Sequence, residues 1–138
     1  MRSSVLIHPG LLQLLASLGH TDEVLVCDAG FPIPAHVPRI DLAYRPGGAP
    51  FLDVLATVVA AVHIEESAIA SEASAELGQS IDQIVTPPAR RIPHASLKTR
   101  SQDCRGAIRT GEYTPYANVL LTIGVAFRVA PGNAEETR

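Results

Sequence analysis

An unbroken apolar stretch near the N-terminus most restricts how this chain can fold. Residues 23–29 read EVLVCDA, with four consecutive apolar side chains that include two β-branched valines. Such a stretch has no polar face to present to water, so it predicts a β-strand that is covered on both sides. Helices provide that cover in α/β proteins. The stretch therefore favours an α/β fold with a largely parallel central sheet.

The hydrophobic pattern of the remaining chain alternates between helix and strand. We predict helices over 9–18, 50–59, 74–85 and 95–105, and further strands over 39–44, 90–94, 107–109 and 116–127. Residues 61–71 fit either state, and the prolines of 30–38 favour an ordered loop. We expect a single three-layer α/β domain over residues 1–127, with helices on both faces of the sheet. Residues 128–138 are polar and are expected to form a flexible C-terminal tail.

The composition limits the partners that this chain can have. The net charge is −3, which gives no basic field for nucleic acid or an anionic membrane. Charged residues make up 18% of the 138 residues, against about 25% in an average domain. A small chain with so little charge is expected to cover part of its surface with another subunit. No apolar stretch approaches the roughly 20 residues that span a bilayer, so a cytoplasmic protein is expected.

Two polar residues flank the apolar strand, and each has two interpretations. His20 precedes the strand and is either a surface or capping histidine or an acid–base catalyst, because imidazole titrates near neutral pH. Asp28 follows the strand and is either a turn-forming residue or an acceptor for ligand hydroxyls. Ligands of open α/β sheets bind beyond the carboxyl ends of the strands, where Asp28 is expected to lie.

Further polar side chains occur at other predicted strand ends. His94 ends the strand at 90–94, and Tyr116 and Asn118 begin the last strand. Residues two apart on a strand point to the same side, so the phenol and the amide could reach one ligand. They could equally well end a turn.

Nucleotide and metal motifs do not account for these residues. There is no G-x-G-x-x-G after the first strand and no P-loop lysine, so no nucleotide cofactor is predicted. His63 and Glu65 would share one face of a strand without a third ligand, so no metal site is predicted. Cys27 and Cys104 lack metal-ligand spacing and are expected to be buried thiols. The residues alone predict a cofactor-free α/β domain with polar groups at its strand ends, and they do not identify a substrate.

Two blocks of the chain resemble the D-ribose pyranase family. They are LGHTDEVLVCDAGFPIP at 18–34 and RTGEYTPYANVLLTIGVAF at 109–127, and RIDLA at 39–43 also matches. The similarity extends over most of residues 5–127 and is lowest over 72–92. The sister family of fucose mutarotases shares the Gly-His and Asp positions. Its members tend to have histidine in place of Gly30 and glycine in place of Ala117, so the ribose family is favoured.

The resemblance implies a cofactor-free isomerase that interconverts the pyranose and furanose forms of D-ribose. It implies that His20 is the catalytic proton donor. The residues that it implies for sugar binding are Asp28, His94, Tyr116, Ala117 and Asn118, with Lys98 as a further candidate. It also implies a homo-oligomer, a decamer of two stacked pentameric rings with sites at subunit boundaries. Two alternatives remain, a mutarotase for another sugar such as L-fucose and a non-catalytic sugar-binding protein.

The spacing of His20 and Asp28 raises a geometric problem. If residues 20–28 were fully extended at about 3.3 Å per residue, the two would lie about 26 Å apart. One small sugar could not contact both residues. Either Thr21 and Asp22 fold back as a turn that brings His20 nearer, or the histidine of one subunit meets the aspartate of a neighbouring subunit.

Overall fold

The computed structural model describes residues 5–125, and six strands of this part form one mixed sheet. The strands are β1 (Glu23–Cys27), β2 (Arg39–Asp41), β3 (His63–Ala70), β4 (Arg90–Ile92), β5 (Gly106–Arg109) and β6 (Val119–Val125). The helices are α1 (Pro9–Ala16), α2 (Phe51–Ala61), α3 (Ala75–Asp82) and α4 (His94–Ser101). None of the helices in this part is both long enough and apolar enough to cross a membrane.

The strand directions bring distant parts of the chain to one edge of the sheet. The strand order is β2-β5-β1-β6-β3-β4, and β6 runs antiparallel between β1 and β3 while the other neighbours pair in parallel. The carboxyl ends of five strands therefore share an edge with the beginning of β6. The predicted α/β fold with a largely parallel sheet is confirmed.

Alternating side chains of β1 enter two separate apolar clusters. Val24 and Val26 pack in the cluster that α1, α2 and α3 cover, whereas Leu25 and Cys27 face the cluster under α4. All four of these side chains are fully buried, as expected for a strand without a polar face. Helices cover both faces of the sheet, three on the first face and one on the second. On the second face the loop at 31–37 supplies much of the cover that a second helix would give.

Several element boundaries differ from the predictions. The ambiguous segment 61–71 contains strand β3, which pairs with β4 and β6. The second strand ends at Asp41, because its carboxylate accepts a hydrogen bond from the Ala43 backbone N–H and turns the chain. The last strand begins at Val119, because Tyr116 has a left-handed φ of 63° that a strand cannot contain. The predicted tail at 128–138 lies outside the described residues.

Candidate functional site

A polar cavity opens at the carboxyl edge of the sheet. Its volume is about 520 Å³, within the range of small-molecule sites. Residues from the ends of several strands line it, among them Asp28, Phe31, His94, Arg109, Tyr116 and Asn118. Four of the residues that the sequence predicts for sugar binding therefore share one cavity, which is wide enough for a monosaccharide.

Asp28 lines the cavity and is held in place by residues on both sides of it in the fold. Its backbone N–H donates to Oδ1 of Asn118 at 2.8 Å, and its own Oδ1 accepts from the Gly30 backbone N–H at 3.1 Å. Burial raises the pKa of the Asp28 carboxyl, and the hydrogen bonds from Gly30 and Asn118 and the nearby His94 act in the opposite direction. The result is a half-buried, fixed acceptor that suits a sugar hydroxyl.

The Tyr116-Ala117-Asn118 segment reaches the cavity in a way that the sequence did not predict. Tyr116 and Asn118 both line the cavity. They lie before β6, however, so the predicted alternation of side chains along a strand does not explain why both reach it. The left-handed Tyr116 turns the chain there, and the Asn118 N–H donates to its carbonyl at 2.9 Å. The Ala117 side chain is buried in the apolar core next to the cavity.

His94 begins α4 and is oriented by two aromatic neighbours. Its ring meets those of Phe31 and Tyr116 edge-on, with centroids 5.9 and 5.1 Å away. Its backbone N–H donates to Glu72 at 2.9 Å, and this hydrogen bond is the main cause that lowers the pKa of the Glu72 carboxyl. Among the described residues, the buried Nδ1 of His94 has no hydrogen-bond partner. A buried polar atom of this kind in a cavity is suited to a ligand hydroxyl.

The sequence-based prediction missed two charged residues of the cavity, Arg109 and Glu112. Arg109 donates to the Ala29 carbonyl at 3.0 Å and to both carboxylate oxygens of Asp41 at 3.0 Å each. Glu112 accepts from the Phe51 backbone N–H at 3.0 Å, and its carbonyl accepts from the Ala29 N–H at 2.8 Å. Arg109 is the last residue of β5, so its place at a strand end was the signal that could have identified it.

His20 lies at the opposite end of β1 and does not line the cavity. The turn that was one of the two alternatives for this spacing does form, with the Asp22 N–H donating to the Gly19 carbonyl at 3.1 Å. The turn nevertheless leaves His20 beyond the amino end of a five-residue strand, with its Nε2 2.8 Å from Oε1 of Glu65. The first alternative, a turn that brings His20 to Asp28 within one chain, is therefore not what the structure has.

The remaining candidates lie outside this cavity. Lys98 is exposed on α4, one turn beyond His94, and does not line the cavity. Residues 5–125 contain no group of three or more His, Cys, Asp or Glu side chains arranged to hold a metal ion. Both Cys27 and Cys104 are buried, and burial raises the pKa of each thiol to about 12.

These features define a small α/β protein with a monosaccharide-sized polar cavity at the edge of a mixed sheet. Residues 1–126 match the model of the RbsD / FucU transport protein family, and the chain belongs to this family. It is 40% identical to the D-ribose pyranase of Vibrio parahaemolyticus and 41% identical to that of Laribacter hongkongensis. Each match covers 92% of this chain and 100% of the relative.

Two solved structures share the fold. Bacillus subtilis RbsD complexed with D-ribose matches with a TM-score of 0.82 and 33% identity, over 87% of this chain and 95% of that one. The fucose mutarotase of Streptococcus pneumoniae in complex with L-fucose matches with a TM-score of 0.72 and 20% identity, over 86% and 94%. The second similarity concerns the fold alone.

Proposed function

We propose that this protein is a D-ribose pyranase, an isomerase that interconverts the pyranose and furanose forms of D-ribose without a cofactor. One observation carries the proposal, a monosaccharide-sized polar cavity in a chain that matches D-ribose pyranases over their whole length. The similarity to an RbsD complexed with D-ribose supports ribose as the ligand. The cytoplasmic location stays a prediction from the sequence.

The reaction exchanges one carbon–oxygen bond within the sugar for another, and proton transfers are enough to catalyse it. The six-membered hemiacetal opens when its anomeric hydroxyl loses a proton, the bond between the anomeric carbon and the ring oxygen breaks, and the ring oxygen gains a proton. The resulting aldehyde closes again when a different hydroxyl attacks the carbonyl carbon and loses its proton while the carbonyl oxygen gains one, which forms the five-membered ring. No electron or group is transferred to another molecule. General acid–base catalysis accelerates such steps by about 10²–10⁴-fold per group.

The cavity residues divide these tasks by their chemistry. Asp28 offers a fixed carboxylate acceptor, and the unpartnered Nδ1 of His94 is available to another hydroxyl. The Asn118 oxygen already accepts from the Asp28 N–H, so Asn118 fixes Asp28 and lines the cavity beside it. Tyr116 contacts the His94 ring and limits the orientation of the sugar. In this proposal His20 donates the proton to the ring oxygen.

His20 must then come from a second chain. Within one chain, β1 separates it from the cavity by about 3.3 Å for each of its residues. We therefore propose a homo-oligomer, a decamer of two stacked pentameric rings, in which each site combines the cavity of one chain with His20 of its neighbour. The low charge content and the exposed apolar side chains of Val5 and Ile7 support covered surface.

Saturation-transfer NMR of ribose and of fucose, with and without the protein, tests the activity. Faster pyranose–furanose exchange in ribose alone is the expected result. Faster exchange of the fucose anomers alone would indicate a mutarotase instead. Binding of a sugar without any change in its exchange rate would indicate a non-catalytic binding protein.

Mixing two inactive variants tests the shared site. We expect His20→Ala and Asp28→Asn to be inactive separately, because each removes one half of every site. After random co-assembly, about a quarter of the sites would hold His20 and Asp28 together if these come from different chains. No recovery of activity would contradict the shared site, as would an active monomer of 14.6 kDa in light scattering.

A further inference from the structure

The contact between His20 and Glu65 is too exposed to contribute much to the stability of the fold. The side chains are 64% and 50% exposed, and their contact of 2.8 Å lies at the protein surface. Exposed ion pairs contribute little to folding, because water screens them and both side chains lose rotamer freedom. The backbone around this pair is nevertheless among the most irregular in the sheet.

Glu65 occupies a β-bulge. Ile64 is opposite Ile123 and Glu66 is opposite Thr122, so Glu65 is an extra residue on β3. Bulges change the direction of a side chain and are frequent beside active sites. Here the bulged residue is the one whose carboxylate contacts His20.

A compensating irregularity on β6 makes room for this arrangement. His63 is opposite Val125, so Gly124 is left over on the partner strand. A Cβ atom at position 124 would lie 2.7 Å from Cδ2 of His63 and 3.4 Å from the Cβ of Glu65. Glycine therefore allows the close packing that sets the position of Glu65.

The turn that carries His20 is equally constrained. Thr21 has a φ of 73°, which is costly for a β-branched residue, and its N–H donates to the Ile123 carbonyl at 2.7 Å. The Asp22 carboxylate accepts from the Gly19 N–H at 2.7 Å and from Arg105 at 2.9 Å. Backbone strain of this kind persists where the surrounding structure holds it, commonly at functional sites.

We infer that Glu65 is a positioning residue that orients His20 and selects Nδ1 as the nitrogen that reacts with the sugar. A carboxylate only accepts hydrogen bonds, so Nε2 of His20 carries the hydrogen that points to Glu65. In the imidazolium form the transferable proton is then on Nδ1, and in the neutral form Nδ1 has the free lone pair. Carboxylates hold catalytic histidines in one tautomer in the same way. This inference rests on the acid–base role proposed for His20.

Substitution of Glu65 tests this role, and the adjacent Glu66 provides a matched control. We expect Glu65→Ala to lower kcat for ribose ring exchange by about 10–100-fold, with KM changed by less than about twofold. Glu65→Gln keeps an oxygen acceptor and should retain more activity than Glu65→Ala. Glu66→Gln makes the same change of charge one residue further on, where the carboxylate faces Arg90 at 3.8 Å, and it should leave kcat unchanged. Full activity of Glu65→Ala would overturn the inference.

Nitrogen NMR gives a readout that does not depend on activity. In solid-state spectra of ¹⁵N-histidine-labelled protein, His20→Ala identifies the His20 signals by their loss. We expect the neutral Nε2–H tautomer of His20 in the original protein and a mixture of tautomers in Glu65→Ala. A predominant Nδ1–H tautomer in the original protein would overturn the inference.

The same variants separate this inference from the proposed function. If His20→Ala loses activity while Glu65→Ala retains it, only the role of Glu65 is wrong. If His20→Ala is itself fully active, the catalytic role proposed for His20 is wrong, and the inference about Glu65 falls with it.

Discussion

The two ends of strand β1 differ in enclosure. At the carboxyl end, Asp28 lies half-buried in a cavity of about 520 Å³ with the ring of His94 packed nearby. At the amino end, His20 and Glu65 form a pair on the open surface. Hydroxyl recognition benefits from fixed, partly desolvated acceptors, whereas a proton donor that serves another chain must be exposed. The difference is the one expected if each end supplies one half of the shared site that we propose.

Both ends nevertheless have strained backbone. Tyr116, beside the cavity, and Thr21, beside His20, are non-glycine residues with φ values of 63° and 73°. Such conformations cost about 1–3 kcal/mol each. These two residues lie where the regular pairing of β1 with β6 ends, next to the side chains that we propose for the site.

The largest expected effect is that of Asp28→Asn at the enclosed end. We expect a loss of about 10²-fold or more in kcat/KM for ribose, because a charged acceptor in a desolvated site is replaced by a neutral amide. Exchange spectroscopy of ribose at several sugar concentrations measures it. An unchanged kcat/KM would show that Asp28 does not bind the sugar, and the two ends of β1 would then not form the two halves of one site.

The same variant should be more stable than the original protein at neutral pH. Burial raises the pKa of Asp28 in the folded state, so folding favours the protonated carboxyl. The stability that protonation provides is present at pH values below the unfolded pKa of about 3.9 and is lost as the pH rises through the folded pKa. We expect Asp28→Asn to raise Tm at pH 7 and to lose this advantage below about pH 4. A lower Tm at pH 7 would contradict the burial argument.

Asn118→Ala should affect stability and the position of Asp28 together. Asn118 is 1% exposed, and its amide oxygen is the acceptor for the Asp28 backbone N–H. Leaving that donor unpaired should lower the free energy of unfolding by about 1–3 kcal/mol, as measured by urea denaturation. Gln79→Ala removes an exposed amide from α3 and should change the free energy by less than about 0.5 kcal/mol. Equal effects of the two substitutions would contradict this role.

Gly124→Ala should act on the open end alone. The added methyl group would lie 2.7 Å from the His63 ring, so we expect a stability loss of about 1–3 kcal/mol and a lower kcat with little change in KM. Adding His63→Ala removes the clash and should restore much of the lost stability and of the lost kcat. Thermal melts measure the stability, and ribose exchange measures kcat. No rescue by this second substitution would indicate that Gly124 is needed for another reason.

Lys98→Ala is expected to have the smallest effect. Lys98 is exposed on α4 and outside the cavity, so the free energy of unfolding should change by less than about 0.5 kcal/mol. Ribose exchange should change by less than about twofold, which corresponds to about 0.4 kcal/mol. A much larger loss of exchange with normal stability would extend the site along α4.

The sequence by itself determined the layers of this protein and the edge at which its polar residues gather. Burial of residues 24–27 on both faces followed from their apolar character, and most helices and strands followed from local periodicity. The placement of Asp28 and His94 at one edge followed from their positions at strand ends. These features depend on neighbours in the sequence, so a local pattern is enough to predict them.

Only the tertiary structure decided which strands pair and in which register. The insertion of β6 antiparallel beside β1 brings Asn118 to Asp28 across 90 residues of sequence. The paired irregularities at Glu65 and Gly124, and the separation of His20 from the cavity, also depend on this register. Pairing between distant strands depends on the packing of the whole sheet, which residues close in sequence do not encode.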